Sequence, residues 1–162
     1  MEQVGDDWSV AIADYDALRA FSLAEPAKFW QSVIDFAGLV AETWGTCPLA
    51  GADKMPGAVW FPDARLNFAE NLLHLRGADE AMVFRGEDKV QHRVSHAELH
   101  AMVSRLSQAL ARAGVAPGDR VAAYLPNMPE TVIAMLAAVS IGAVWSSCSP
   151  DFGVQGVLDR FG

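Results

Sequence analysis

A chain of 162 residues with 20 acidic against 12 basic side chains, a formal net charge of −8, has no electrostatic reason to bind nucleic acid or an anionic membrane. Its 52% hydrophobic and 20% charged content is too apolar for disorder, and its length allows one core or one small domain plus part of another. Cys47 and Cys148, the only cysteines, form no CxxC pattern and suit a reducing compartment better than a disulfide scaffold.

The first residues, Met1 to Asp7, lack the basic and apolar regions of a secretory signal, so a cytoplasmic location is expected. Ser22 and Glu25 have capping-box spacing, and Pro26 suits a first helical turn. Phe29, Trp30, Val33, Ile34 and Ala37 then line one helix face, which Gly38 ends or weakens. From Thr43 to Pro62 the chain is punctuated by Gly45, Pro48, Gly51, Pro56 and Gly57, a loop that Trp44, Trp60 and Phe61 pin to a surface. Asn67 and Glu70 repeat the cap spacing before Leu72, Leu73 and Leu75, with the segment closing at Gly77.

The second half changes character. Ala81 to Arg85 and Val90 to Val94 flank the turn Gly86-Glu87-Asp88 and predict a β-hairpin. Ser95 with Glu98 is a third cap signal, opening a periodic helix with Leu99, Met102, Val103, Leu106, Ala109 and Leu110 on one face. Gly114 closes it in the left-handed position, and Pro117-Gly118-Asp119 turns the chain. Val121 to Leu125 is an apolar strand, a helix runs from about Glu130 to Ile141, and Ala143 to Cys148 is a second strand. Two strands apolar on both faces, joined by a helix, predict a βαβ unit in a parallel sheet. The run Val132 to Cys148 is broken by Ser140 and Gly142 and reads as core rather than a membrane span. A last short helix starts near Val154. The fold class is therefore α/β: a helical and irregular region over residues 1–78, then a hairpin and the first βαβ unit of an incomplete parallel-sheet domain over residues 79–162.

Three constellations could carry chemistry. His96 and His100 stand at zinc-ligating helical spacing, but the acid falls between them, away from its H-E-x-x-H position, and no third ligand is visible. No catalytic or metal residue is therefore assigned, and both histidines read as solvated. The turn Leu125-Pro126-Asn127-Met128-Pro129 lacks the glycines and N–H groups of a phosphate cradle, leaving Asn127 a turn residue or helix cap. At the second strand end, Ser146, Ser147, Cys148, Ser149 and Asp151 form a small polar cluster where a parallel strand presents its carboxyl end. It has no local histidine and no G-x-S-x-G elbow, so it reads as a strand-end turn or as a ligand lining without catalysis.

Phe29-Trp30 in its helix and the run from Trp60 to Leu73 resemble the start of short-chain acyl-CoA synthetases of the adenylate-forming superfamily. Arg93 to Leu99 is similar to the first core motif of that superfamily, with His96 where a tyrosine is usual, and Ile141-Gly142-Ala143-Val144 to the second. Ser140 to Gly162 most resembles the acetoacetate-activating family. The resemblance implies ATP, CoA and Mg²⁺ as cofactors of a longer parent enzyme and acetoacetate as its small-molecule substrate. It also implies an acyl-adenylate intermediate. By position, the family's CoA-side loop falls on Ser149, Pro150 and Asp151. The phosphate loop and catalytic lysine of the family have no counterpart here, so this chain is expected to be an inactive amino-terminal piece that binds none of the cofactors tightly and self-associates. The alternatives are another short-chain acyl-CoA synthetase as the parent, or a stand-alone binding module that kept the first βαβ unit.

Overall fold

The structure, a computed structural model, describes residues 2–87 and 89–162. Met1 and Asp88, the latter in the expected hairpin turn, lie outside the described residues. The chain divides into two compact units, the first ending at Leu66 and the second running from Asn67 to Gly162.

In the first unit, helices α1 (Glu2–Trp8), α2 (Tyr15–Ala24) and α3 (Pro26–Ala37) precede an irregular segment. Asp14 caps α2, accepting a bond from the Ala17 N–H at 2.8 Å. The expected Ser22–Glu25 capping box does not form. Ser22 already lies inside α2 and its hydroxyl donates to the Arg19 carbonyl, while α3 begins directly at Pro26 without a side-chain cap. Two abutting helices leave no extended residue for a serine cap to occupy. Gly38 does end α3: its φ of 60° is left-handed, where a Cβ is strained, and its N–H reaches back to Ile34 and Asp35.

Ser32 is buried and accepts from Trp8 Nε1–H at 2.6 Å, which joins α1 to α3 through a satisfied polar contact. Trp30 meets both Phe29 and Trp60 edge-on, with ring centroids 5.5 and 6.0 Å away, and Trp44 meets Phe61 in the same way at 5.7 Å. The aromatics thus pin the loop, as their spacing predicts. Within it the chain also forms a two-residue antiparallel pair, β1 (Leu49–Ala50) with β2 (Val59–Trp60), which glycine and proline punctuation conceals.

The second unit opens with α4 (Phe68–Leu72), shorter than the leucine pattern suggests. Next come β3 (Glu80–Gly86) and β4 (Val90–Ser95), an antiparallel hairpin with an irregularity between Glu80 and Met82. Helix α5 (His96–Arg112) leads to β5 (Arg120–Tyr124), α6 (Pro129–Ser140), β6 (Val144–Cys148) and α7 (Val154–Phe161). Strands β5 and β6 pair in parallel, Val121 opposite Trp145 and Tyr124 opposite Cys148, so the βαβ unit is present. Its core joins Ala69 and Leu73 to Val94, Leu99, Val103, Ile133, Leu136 and Ala137. The apolar faces of α5 and α6 pack together, which is what their periodicity requires.

The cover of this sheet is one-sided. Exposure alternates along β5 and through most of β6, and Val144 and Tyr124 are about half exposed, so within the described residues only one face is covered. Asn127 is not the cap of α6; Met128 holds that place, with Pro129 as the first helical residue.

Candidate functional site

The carboxyl end of β6 is where a ligand of an open parallel sheet is sought. Tyr124 and Cys148 end the two strands side by side, and the Leu125 N–H still bonds the Cys148 carbonyl at 3.2 Å. Beyond them the chain turns sharply. The Ser149 hydroxyl donates to Asp151 Oδ2 at 2.8 Å and accepts from the Asp151 N–H at 3.3 Å. Pro150 and Asp151 are exposed and Ser149 half-buried. These three residues therefore form one small polar turn, facing solvent at the strand end.

Two residues that the sequence reading did not single out brace this turn. The Tyr124 hydroxyl donates to the Pro150 carbonyl at 2.6 Å and lies 3.0 Å from that of Phe152. Arg160, on α7, reaches back to the Ser147 carbonyl at 3.4 Å and sets its guanidinium 5.3 Å from the Phe152 ring. A tyrosine ending one strand beside the end of its parallel neighbour is the signal that could have pointed to the first contact. An open depression of about 500 Å³ lies away from this turn, over the first residues of β5 and β6, between Arg120, Ser146 and Phe161.

No nucleophile emerges. Cys148 is buried and Cys47 half-buried, both as free thiols. Among the described residues, Ser146, Ser147, Cys148 and Ser149 have no histidine as a hydrogen-bond partner, so no base activates them. The turn can line and orient a ligand; it cannot attack one.

The histidine pair is equally uncommitted to a metal. His96 and His100 are half-buried, and Glu98 between them is held by the Ser95 N–H at 2.9 Å and its hydroxyl at 2.7 Å. The backbone bond from Ser95, then the hydroxyl bond, keep the Glu98 carboxyl below its ordinary value of 4.5, with a weaker contribution from His92. Among the described residues, no group of three or more His, Cys, Asp or Glu side chains is placed to hold a metal ion. Among those residues no helix is long and apolar enough to cross a membrane.

Comparison with known proteins gives two adjoining family matches. Residues 15–72 match the acetyl-coenzyme A synthetase N-terminus family, and residues 72–160 match the AMP-binding enzyme family. Acetoacetyl-coenzyme A synthetase of Rhizobium meliloti (strain 1021) is 54% identical over 158 residues, covering 98% of this chain and 24% of that protein. Acetoacetyl-CoA synthetase of Rattus norvegicus is 41% identical over 166 residues, again 24% of its length. The solved acetoacetyl-CoA synthetase from Streptomyces lividans superposes with a TM-score of 0.89 at 40% identity, covering 97% of this chain and 25% of that one. The chain thus spans about a quarter of the length of the relatives it matches.

Proposed function

The chain belongs to the AMP-binding enzyme family, and from that premise we propose that it forms the amino-terminal part of an acetoacetate–CoA ligase. In this reading the acetoacetate carboxylate attacks the α-phosphate of ATP, an acyl-adenylate forms and pyrophosphate leaves. The CoA thiol then attacks the acyl carbon, and AMP departs. The observation that carries it is likeness to acetoacetyl-CoA synthetases over nearly the whole chain. General AMP-binding membership alone would leave the acid open.

Within this scheme the segment contributes scaffold and one ligand-facing turn. Ser149, Pro150 and Asp151 take the CoA side, with the loop from Ser146 to Gly153 shaping the approach. Support comes from their place at the carboxyl end of β6 and from the exposure of Pro150 and Asp151. Mg²⁺ accompanies ATP in the reaction, but the described residues offer no ligand set for it, so no step through it is assigned here. A cytoplasmic location is part of the same reading, supported by two unpaired cysteines. Self-association of the isolated chain is also part of it, supported by the bare face of β5 and β6.

The test grafts this chain onto the Rhizobium meliloti enzyme in place of its matching quarter and assays AMP release with acetoacetate, acetate and no acid. Acetoacetate-dependent AMP release by the graft, and none by the 162-residue chain alone, is the expected pattern. A graft that folds but releases no AMP with acetoacetate would overturn the proposal, and turnover by the lone chain would overturn its supporting role.

A further inference from the structure

Among the described residues, the hydrogen bonds made by Ser149 to Gly153 are local except one set. Tyr124 belongs to β5, and its phenol crosses 26 residues of sequence to the Pro150 carbonyl and 28 to that of Phe152. A phenol carries a single proton, so the 2.6 and 3.0 Å contacts form one bond shared between two carbonyls. Tyr124 is 50% exposed. Water could satisfy all three groups at such a place, so the bond adds little to global stability and acts mainly on local shape.

That shape is specific. In a planar trans peptide the carbonyl and the next N–H point to opposite sides. Drawing the Phe152 carbonyl onto the phenol therefore turns the Gly153 N–H away from it. The Ser149–Asp151 bonds close the turn internally but do not fix it to the sheet; Tyr124 ties its carbonyls to β5, while Arg160 of α7 touches only its Phe152 ring. We propose that Tyr124 is a positioning residue that holds the Ser149–Gly153 loop in the form that meets CoA. This rests on the reading of that loop as the CoA side.

Hydrogen exchange of the graft of this chain onto the Rhizobium meliloti enzyme, followed by mass spectrometry with and without millimolar CoA, tests it. Tyr124→Phe keeps the ring and deletes the hydroxyl. Thr131→Val is the control, since it removes another hydroxyl-to-carbonyl bond, 2.6 Å to Pro126, in the same unit. Without CoA, amides of Asp151, Phe152 and Gly153 should exchange about fivefold faster in Tyr124→Phe, the ratio expected for one exposed hydrogen bond. CoA should slow these amides in the wild type and in Thr131→Val, and slow them less in Tyr124→Phe. Unchanged exchange along α6 verifies that the variant is folded.

Equal loop exchange in wild type and Tyr124→Phe would overturn the tether. Faster exchange with undiminished slowing by CoA would overturn the positioning role. Absence of any CoA effect in the wild type would instead overturn the CoA reading of the loop, and the comparison without CoA would still decide whether Tyr124 holds it.

Discussion

Ser95 and Glu98 satisfy each other at the start of α5: the Ser95 hydroxyl accepts from the Glu98 N–H at 3.2 Å, and the Glu98 carboxylate accepts from the Ser95 N–H at 2.9 Å. Two donors that helix geometry leaves without partners are thereby paired. Because these bonds favour the ionised carboxyl, the folded Glu98 titrates lower than the unfolded one. Its contribution is fully present above the ordinary value of 4.5 and is lost as pH falls through the lower folded value. Urea midpoints of wild type and Glu98→Gln should therefore differ at neutral pH and converge in acid. Ser95→Ala should cost about 1 kcal/mol at neutral pH.

Asn67 serves two helices at once. Its side-chain oxygen accepts from the Ala69 and Glu70 N–H groups at the start of α4, and its amide donates to the Val139 carbonyl at 3.0 Å near the end of α6. Asn67→Ala should lower unfolding free energy by about 2 kcal/mol, one cap plus one partly buried bond. Asn67→Ser keeps an acceptor for the cap and loses only the α6 bond, so its loss should be about half as large. Equal losses in denaturant titrations would show that the cap contributes nothing, and no loss in Asn67→Ser would show the same of the α6 bond.

Gly142 sits at a φ of +80° between α6 and β6, and its carbonyl accepts from the Gly118 N–H at 2.9 Å. A Cβ there would stand 3.1 Å from the Pro117 side chain. Gly142→Ala should destabilise the second unit by about 1–2 kcal/mol from backbone strain. Thermal melts of the variant should shift down even though no side-chain contact is removed.

Zinc should leave the protein unmoved. The carboxylate between His96 and His100 is engaged by Ser95, and no third ligand converges among the described residues. Melting midpoints with added zinc and with EDTA should coincide; a rise with zinc would mean that the two histidines do bind a metal.

What could be read in the sequence was local. Ser95 with Glu98, Asn67 before its helix, Pro26 at a first turn and Gly38 and Gly114 at helix ends each act within a few residues, where spacing and chemistry determine the outcome. The same spacing misled at Ser22, because a short motif does not reveal that the preceding helix has yet to finish. The β1–β2 pair was hidden by residues that usually mark loops. At the candidate site, Ser149, Pro150 and Asp151 were visible as a polar strand end. Tyr124 was not, since its partners lie 26 and 28 residues away and no local pattern announces them.

The two family matches meet at residue 72, which is also the last residue of α4. Ala69 and Leu73 lie on either side of that point, and both are buried in one cluster with Val94 and Leu99. Gene shuffling or splicing at residue 72 would strand Asn67 and Ala69 on the wrong polypeptide and open a hole in the core they help to fill. Interchange among relatives should be better tolerated just before Asn67, where the second compact unit begins with the cap of α4, a few residues ahead of the place where sequence similarity changes family.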